Sequence, residues 1–190
     1  MKEYLIETPS IDFGNPHIKK KVRELKNESK DTLDYIERSY NYVRDEIPHS
    51  WDIKSEIVSR TASDVLRNGT GICWTKSCLL AALLRANSIA SGISYQLLTR
   101  ADDDSDGHII HALNTVYIEE LYKWIRIDAR GNKDDINACF SLDEEQLAYS
   151  IRSEYGEIDY HDNHADLDER LVKILKDSKT IYDISTDFEF

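Results

Sequence analysis

The stretch that most constrains this chain is residues 69–85, where a glycine-rich turn leads directly into an apolar helical pattern. Gly69 and Gly71 come just before Cys73, and the leucines within 79–84 then recur with the spacing of a buried helix face. Cys73 is therefore predicted in the first turn of a buried helix. There, unpaired backbone N–H groups and the positive end of the helix dipole favour a thiolate over a thiol. Because most free cysteines are simple core residues, a role for Cys73 depends on its partners.

A second informative stretch, residues 108–130, is typical of two β-strands broken at residues 119–120. A turn centred between those two glutamates gives facing pairs whose residue numbers sum to 239, and His111 and Asp128 form such a pair. Their Cβ atoms would then lie about 4.5–5.5 Å apart. A carboxylate at that position fixes the tautomer of an imidazole and stabilises its charged form. His108 has the opposite alternation and is predicted on the other face of the hairpin.

Cys73, His111 and Asp128 together are the side chains that acyl-transfer chemistry requires. The thiolate attacks a carbonyl carbon, the imidazole moves the proton, and the carboxylate orients the imidazole. Backbone N–H groups at the helix start can hold the developing oxyanion. These residues predict a cysteine nucleophile served by a His–Asp pair, with no cofactor and no metal ion.

In these motifs the chain resembles the transglutaminase-like superfamily of cysteine enzymes, over roughly residues 30–132. The matching motifs, in the family's order, are Tyr42-Val-Arg-Asp-Glu-Ile47, Ala62-Ser-Asp-Val-Leu-Arg-Asn-Gly-Thr-Gly-Ile-Cys73, the Leu-Leu-Arg85 helix end, His111-Ala112 and Trp124-Ile-Arg-Ile-Asp128. The resemblance implies that Cys73 is the nucleophile, His111 the general base and acid, and Asp128 the orienting residue.

Two departures from the family pattern bear on the substrate surface and leave the three site residues intact. Many relatives carry a Gly-Ile-Pro-like turn ending in Arg after the helix, whereas this chain continues with Asn87, which can still take the left-handed conformation that ends a helix. Leu113 stands near the place where relatives often have an aromatic residue. In relatives an aromatic residue from the region of 48–52 lines the site. Trp51 or His49 could do so here, and core packing is an equal alternative, so neither is assigned.

The fold expected from these patterns is α+β, with a cysteine-proteinase/transglutaminase-like core. N-terminal helices and the Cys73 helix pack on an antiparallel β-sheet in this expectation. Residues 1–190 are interpreted as one domain, with the core at about 30–132 and a C-terminal helical extension at about 141–190.

Local start and stop signals place the other elements. In the first half of the chain, the predicted elements are a short strand and loop at residues 1–14, a helix from Pro16 capped by Asn15, a helix over about 31–46, a short helix capped by Ser63 and a strand over 93–99. In the second half, a helix is predicted from Ser141 through Tyr149, where Ser141 and Glu144 form a capping box. A helix over about 166–176 and a strand or tail over 181–190 follow it.

The net charge and the cysteine content limit which binding partners and which cellular compartment are expected. The formal net charge of −12 makes a nucleic-acid backbone an unfavourable partner. The chain has no apolar run long enough for a signal peptide or a membrane span, so a cytoplasmic protein without a membrane partner is expected. Three cysteines without paired spacing fit a reducing compartment, and Cys78 and Cys139 are interpreted as structural.

Two motifs resemble metal sites without meeting their requirements. Residues 102–107 resemble the opening of a calcium loop, but Leu113 stands where an EF-hand needs its closing glutamate. A solvated acidic turn at 102–106, bordering the substrate entrance, is the preferred interpretation. His161 and His164 lie three residues apart in a polar segment with no cysteine nearby, which is weak support for a zinc site.

Among cysteine enzymes, the spacing favours some classes over others. Papain-type peptidases usually separate Cys and His by well over a hundred residues and use Asn as the third member, whereas Cys73 and His111 are 38 apart here. No Arg-Gly-Gly run precedes Cys73, as it would in an arylamine acetyltransferase. Hydrolysis of an amide and acyl transfer from glutamine to an amine both remain, with a peptide, protein or small amide as substrate. The alternative is a non-catalytic binding or scaffold protein that has kept the fold.

Overall fold

Helices dominate the chain up to residue 86 and strands follow, which is the α+β organisation that the sequence predicts. The computed structural model describes residues 1–100 and 103–184; Asp102 of the acidic turn and residues 185–190 of the predicted C-terminal tail lie outside the described residues. The helices are α1 (Pro16–Glu28), α2 (Thr32–Asn41), α3 (Ala62–Asn68), α4 (Cys73–Ala86) and α5 (Glu169–Asp177), and the strands are β1 (Ser91–Thr99), β2 (His108–Ile118), β3 (Lys123–Ile127) and β4 (Ile158–His164). None of the described helices is long and apolar enough to cross a bilayer.

The N-terminal helices begin where the sequence predicts. Asn15 caps α1, with its side chain accepting the His17 N–H at 2.9 Å and Pro16 at the first position. Asp31 caps α2 in the same way, and a π-helical turn over Tyr42–Glu46 continues that helix. Their apolar faces, centred on Ile18 in α1 and on Tyr40 in α2, are buried in one core with α4.

The central helix α4 is buried at every residue from its second to its next-to-last. Two of its polar side chains reach the backbone of β2, because a buried polar group without a partner is costly. Trp74 Nε1 donates to the Ile110 carbonyl at 2.7 Å, and Ser77 Oγ donates to the Ala112 carbonyl at 3.1 Å. These bonds fix α4 along β2 and place Cys73 beside the strand that carries His111.

The sheet is antiparallel in the order β3-β2-β1-β4. The predicted hairpin is confirmed, but its predicted register is wrong, because Asn114 faces Ile127 and facing residue numbers sum to 241. The cause is a longer turn, with a 3-10 segment over Glu119–Leu121 and Tyr122 in the left-handed region at φ 51°. The error is an even number of residues, so the same side chains still share a face.

The predicted helix from Ser141 through Tyr149 is wrong. Ser141 Oγ accepts the N–H groups of Asp143 and Glu144, both at 3.3 Å, which is what a cap would do. Local bonds of this kind stabilise turns as readily as helices, and 141–150 form no helix. Tertiary contacts decide the outcome, since the Ala148 N–H goes to Asp128 instead of to a helical carbonyl.

The rest of the C-terminal extension is only partly helical. Residues 158–164, predicted as a connection between helices, form β4 and pair with β1. The helix α5 is confirmed, beginning at Glu169 after the cap Asp168. The extension therefore completes the sheet as well as covering the core.

Three smaller predictions are also corrected. Thr61, and not Ser63, caps α3 by accepting the Asp64 N–H. The left-handed residue after α4 is Ser88, at φ 62°, and not Asn87. Residues 2–4 form a 3-10 turn in place of the predicted strand.

Candidate active site

The glycine pair before Cys73 is required by local geometry. Gly69 ends α3 in the left-handed conformation at φ 67°, which costs a glycine little. At Gly71 a side chain would collide, because an added Cβ would lie 2.8 Å from Thr75 Oγ1 and 3.0 Å from a methyl group of Val65. The chain can therefore turn tightly from α3 into α4, which begins at Cys73 and leaves its thiol partly exposed.

His111 and Asp128 form a buried pair at one end of the sheet. His111 Nε2 lies 2.7 Å from Asp128 Oδ2, and neither residue is more than 3% exposed. Asp128 also accepts the backbone N–H groups of Arg130 on Oδ1 and of Ala148 on Oδ2, both at 3.0 Å. The ring of Tyr149 packs edge-on against the imidazole with centroids 5.0 Å apart. The imidazole is therefore held on two sides, by the Asp128 carboxylate and by the Tyr149 ring.

Cys73 completes the arrangement beside His111, whose imidazole favours the thiolate. Since Nε2 of His111 is engaged by Asp128, Nδ1 is the ring nitrogen available to the sulfur. The backbone N–H of Ala112 also favours the thiolate. The structure thus brings together the three side chains that the sequence singled out, and their roles in catalysis are taken up below as a proposal.

Electrostatics at this site favour a thiolate–imidazolium pair. Burial opposes charge on Cys73, but the adjacent imidazole outweighs it, so the pKa of the Cys73 thiol is below its usual value. Burial likewise opposes a charged imidazole, yet the attraction of Asp128 and Cys73 raises the pKa of His111. The pKa of Asp128 is lowered, against the effect of burial, by His111 and by the two N–H groups it accepts. By contrast, burial raises the pKa of Cys78 well above that of a free thiol.

The sequence left His49 unassigned, and the structure places it against the start of α4. Its Nε2 accepts the Cys73 N–H at 3.1 Å, which puts the ring proton on Nδ1. His49 is 7% exposed, and among the described residues none offers a hydrogen bond to Nδ1. Burial, followed by the positive charges of Arg130 and Lys76, holds the pKa of His49 well below its ordinary value. His49 is therefore a neutral imidazole beside Cys73.

Lys76 is a buried cation that sequence reasoning missed, one turn after Cys73 in α4. Its Nζ donates to the carbonyls of Ile47 and Arg44, at the end of the π-helical turn. Burial is the main cause that lowers the pKa of Lys76 to about 7. The bonds connect α4 to the segment that carries His49, so Lys76 positions that segment. No pattern in the sequence indicates this role, because it depends on packing between distant elements.

A second buried cation, Arg130, is neutralised beside the site. Its guanidinium forms a two-pronged ion pair with Asp52, with Nη2 2.9 Å from Oδ1. Because the Arg130 backbone N–H also holds Asp128, this ion pair connects the loop around residue 52 to the orienting carboxylate.

A cleft of about 510 Å³ opens over Cys73. It is mainly apolar, a usual property of sites for small ligands and peptide segments. Its walls are formed by His49, Trp51, Ile72, Cys73, Trp74, Leu98, Arg100, Ile109, Ile110, His111, Arg130, Tyr149, Tyr182 and Ile184. Trp51, the other unassigned candidate, lies on the rim and is 43% exposed.

Among the described residues, the two sequence motifs that resembled metal sites form no cluster of ligands. Across residues 1–100 and 103–184, no group of three or more His, Cys, Asp or Glu side chains is placed to hold a metal ion. His164, on β4, packs against the ring of Tyr95 at 5.2 Å. In the acidic turn, Asp103 accepts the Ser105 N–H at 2.9 Å, as a simple turn residue does.

Comparison with known proteins agrees with this geometry. A model of the transglutaminase-like superfamily matches residues 19–129, which is more than half of the chain. No curated protein matches the sequence. Among solved structures, the chain is similar to one described as "a putative cysteine protease from Cytophaga hutchinsonii", with a TM-score of 0.54 at 19% identity. That alignment covers 67% of this chain and 40% of the other, and at this identity it shows a shared fold alone.

Proposed function

Because the chain belongs to the transglutaminase-like superfamily, we propose that it is a cysteine enzyme that acts on amide bonds through a thioester on Cys73. The observation that carries the proposal is the hydrogen-bonded His111–Asp128 pair in the same cleft as Cys73, which lies at the mouth of a helix. Description of a structural neighbour as a cysteine protease supports the same class of chemistry. The proposed substrate is a peptide, a protein or a small amide.

The first half of the proposed reaction forms the thioester. The Cys73 thiolate attacks the amide carbonyl carbon, and a C–S bond forms while the carbonyl oxygen becomes an oxyanion. When the intermediate collapses, the C–N bond breaks and the His111 imidazolium gives its proton to the leaving nitrogen. His111 is then neutral, and Asp128 keeps its Nε2 proton in place, so Nδ1 is free to act as a base.

The second half resolves the thioester. His111 Nδ1 removes a proton from water or from a primary amine as that nucleophile attacks the acyl carbon. Collapse then breaks the C–S bond, and the thiolate and imidazolium are restored. Water gives hydrolysis and an amine gives acyl transfer, with the same groups of the protein serving both.

In this proposal His49 serves the oxyanion. Catalysis of this kind needs donors aimed at the developing negative charge, and the Cys73 N–H is occupied by His49 Nε2 in the resting site. Half a turn of the neutral His49 ring about its Cβ–Cγ bond would exchange Nε2 with Cε1 and Nδ1 with Cδ2. The Cys73 N–H would be released, and the Nδ1 proton would move to the ring edge that faced it. The lack of a partner for Nδ1 among the described residues favours such a turn.

Incubation of the protein with a glutamine-containing peptide, with and without a primary amine, tests the proposal. Mass spectrometry of the products distinguishes incorporated amine from cleavage or release of ammonia. We expect one of these products from the native protein and none from Cys73→Ser, which keeps the shape of the side chain without its thiolate. Identical product profiles for both proteins, across amide and peptide substrates, would contradict the proposal.

A further inference from the structure

One wall of the cleft over Cys73 is formed jointly by the family core and the extension that follows it. Trp51, Tyr182 and Ile184, here called the apolar lip, border the cleft together; Trp51 belongs to the core, and the other two come from the C-terminal extension. The family match ends at residue 129, so Tyr182 and Ile184 lie outside the part of the chain that the family shares. We infer that the apolar lip is a substrate subsite that takes an apolar or aromatic side chain in the acyl half of the amide substrate. The inference rests on the function proposed above.

The lip is built as a fixed surface. Trp51 and Tyr182 contact each other edge-on, with ring centroids 5.4 Å apart. Behind Tyr182, the Ile181 N–H donates to the Glu56 carbonyl at 3.2 Å. Thr180 and Asp183 close a capping box around the same short turn. The extension therefore holds Tyr182 against the loop that carries Trp51.

The side chain of Arg60 provides a further link between the extension and the loop beside the cleft. The Arg60 guanidinium donates to the carbonyls of Leu175 and Ser178 at 2.9 and 2.8 Å, at the end of α5. A positive side chain at a helix C-terminus is favourable, so this contact fixes α5 to the loop beside the cleft. The lip is held by backbone and side-chain bonds from both of its segments.

The exposure of the lip indicates a binding role. Trp51 and Tyr182 are 43% and 53% exposed, although they are in contact and could bury more area if packing were their only role. Adjacent exposed aromatic side chains on a cleft rim are typical of ligand contacts. Ile72, directly before Cys73 in the chain, continues the same apolar surface to the nucleophile.

The position of the lip assigns it to the acyl half of the substrate. Trp51 lies in a turn that closes on the carbonyl of His49, which accepts the N–H groups of Asp52 and Ile53. His49 in turn contacts the Cys73 N–H, where the carbonyl oxygen of the acyl group would be held. The lip is thus linked through His49 to the place of the acyl carbonyl, and on that ground we assign it to the acyl half of the substrate.

The chemistry of the wall favours an apolar side chain over a cationic one. No carboxylate side chain is among the described residues that line the cleft, so a lysine-like group would be desolvated without a counter-ion. Two guanidinium groups among those described residues line the cleft and could otherwise attract an anion. That of Arg130 is paired with Asp52, and that of Arg100 donates to the His108 carbonyl at 3.4 Å. An apolar side chain gains from burial on Trp51 and Tyr182 without such a cost.

Alkylation by dipeptidyl fluoromethyl ketones tests the inference without requiring turnover. Each of the two side chains is varied in turn among Phe, Leu, Ser, Lys and Glu, and the rate of Cys73 labelling is followed by mass spectrometry. At one of the two positions, we expect the native protein to react about tenfold or more faster with Phe or Leu than with the other three. Tyr182→Ala and Trp51→Ala should each slow the Phe reagent about fivefold.

Iodoacetamide, which is too small to need the lip, reports the chemistry separately. Its rate with Cys73 should be the same in the native protein, in both lip variants and in the control Tyr122→Ala, which removes an exposed tyrosine from the β2–β3 turn. Normal iodoacetamide rates with no preference across the ketones, or with a preference for Lys or Glu, would overturn the inference alone. Slow reaction of Cys73 with every reagent would overturn the proposed function and the inference with it.

Discussion

The family core, residues 19–129, and the extension after it differ in how their structure is determined. In the core, the starts of α2 and α4, the hairpin and the placement of the three candidate residues follow from local patterns that the structure reproduces, whereas the cap of α3 and the hairpin register do not. In the extension, a capping motif at Ser141 forms no helix and a predicted connection becomes β4. Yet the extension reaches the candidate site, since the Ala148 N–H holds Asp128 and Tyr182 lines the cleft. The core thus holds the residues proposed for catalysis, and the extension supports them and forms part of the cleft.

The largest expected effect comes from the orienting carboxylate of the core. Asp128→Asn should lower kcat/KM for an amide substrate by about 10⁴, because an amide group in that place no longer stabilises an imidazolium or fixes its tautomer. The change is measured by enzyme assays on an amide substrate that the incubation experiment described above shows to be converted.

The matched control is the same substitution in the extension. Asp159 on β4 also pairs with a buried cation, with Oδ1 2.5 Å from Arg126 Nη1, and among the described residues no hydrogen bond joins it to Cys73, His111 or Asp128. Asp159→Asn should leave kcat/KM within about twofold, since Arg126 keeps its pair with Glu145. Similar losses from the two variants would remove the distinction between the two regions.

His49→Ala should lower kcat/KM by about 10²–10³, the usual effect of losing one oxyanion donor. Its rate of alkylation by iodoacetamide should change little, because displacement of iodide creates no oxyanion. Parallel measurement of both rates checks the prediction. Equal losses in both would mean that His49 acts on the thiolate itself and not on the oxyanion.

The extension should affect stability where the core affects chemistry. Glu157, after a turn at Ser153–Tyr155, accepts the Thr99 N–H at 3.1 Å and the Arg152 N–H at 2.7 Å. Glu157→Gln should reduce the free energy of unfolding at pH 7 by about 1–3 kcal/mol, because a charged acceptor of several bonds is lost. Urea denaturation measures the change, and the alkylation rate of Cys73 should stay at the native value.

The pH dependence of that stability has a definite sign. Burial alone would raise the pKa of Glu157, but Arg152 and the donated N–H groups lower it to about 2, below the value of about 4.3 in an unfolded chain. The stabilisation is therefore complete above pH 4.3 and lost as the pH falls towards 2. Glu157→Gln should weaken the dependence of unfolding on pH in that window. An unchanged pH dependence would contradict this account of the extension.

The smallest effects distinguish a true cap from a false one. Thr61→Ala should cost about 1 kcal/mol, because its hydroxyl accepts the Asp64 N–H at the start of α3. Ser141→Ala should cost less than about 0.5 kcal/mol, because no helix follows it. Thermal unfolding of both variants makes the comparison, and an equal or larger cost at Ser141 would contradict it.

How much of the structure could be predicted from the sequence also differs between local features and contacts made over long distances in the chain. Cys73 and the His111–Asp128 pair could be found because a helix start and a hairpin are local features with a fixed period. The hairpin register was wrong because the geometry of the turn at 119–122 decides it, and no pattern in those residues gives the length of the turn. The contact between His111 and Asp128 was still predicted correctly, because a register error of an even number of residues keeps alternating side chains on the same face.

The remaining parts of the site depend on contacts between segments far apart in the chain. His49 reaches Cys73 across 24 positions, and Arg60 reaches Ser178 across 118. Lys76 was hidden within an apolar helix, where its polar end is paired with carbonyls that no sequence pattern predicts. Tyr182 has no local signal of a site at all. Such residues can be identified only once the fold brings them to the cleft.

The central claim is a thiolate at Cys73 maintained by His111, and its most direct test is the rate of iodoacetamide labelling as a function of pH. A lowered thiol pKa and a raised imidazole pKa predict that Cys73 reacts below pH 7, where ordinary thiols with a pKa of about 8.5 are slow. Cys73 should label far faster than Cys78 and Cys139, and lose that advantage in His111→Ala. Equal and slow labelling of all three cysteines, rising together near pH 8.5, would contradict the account.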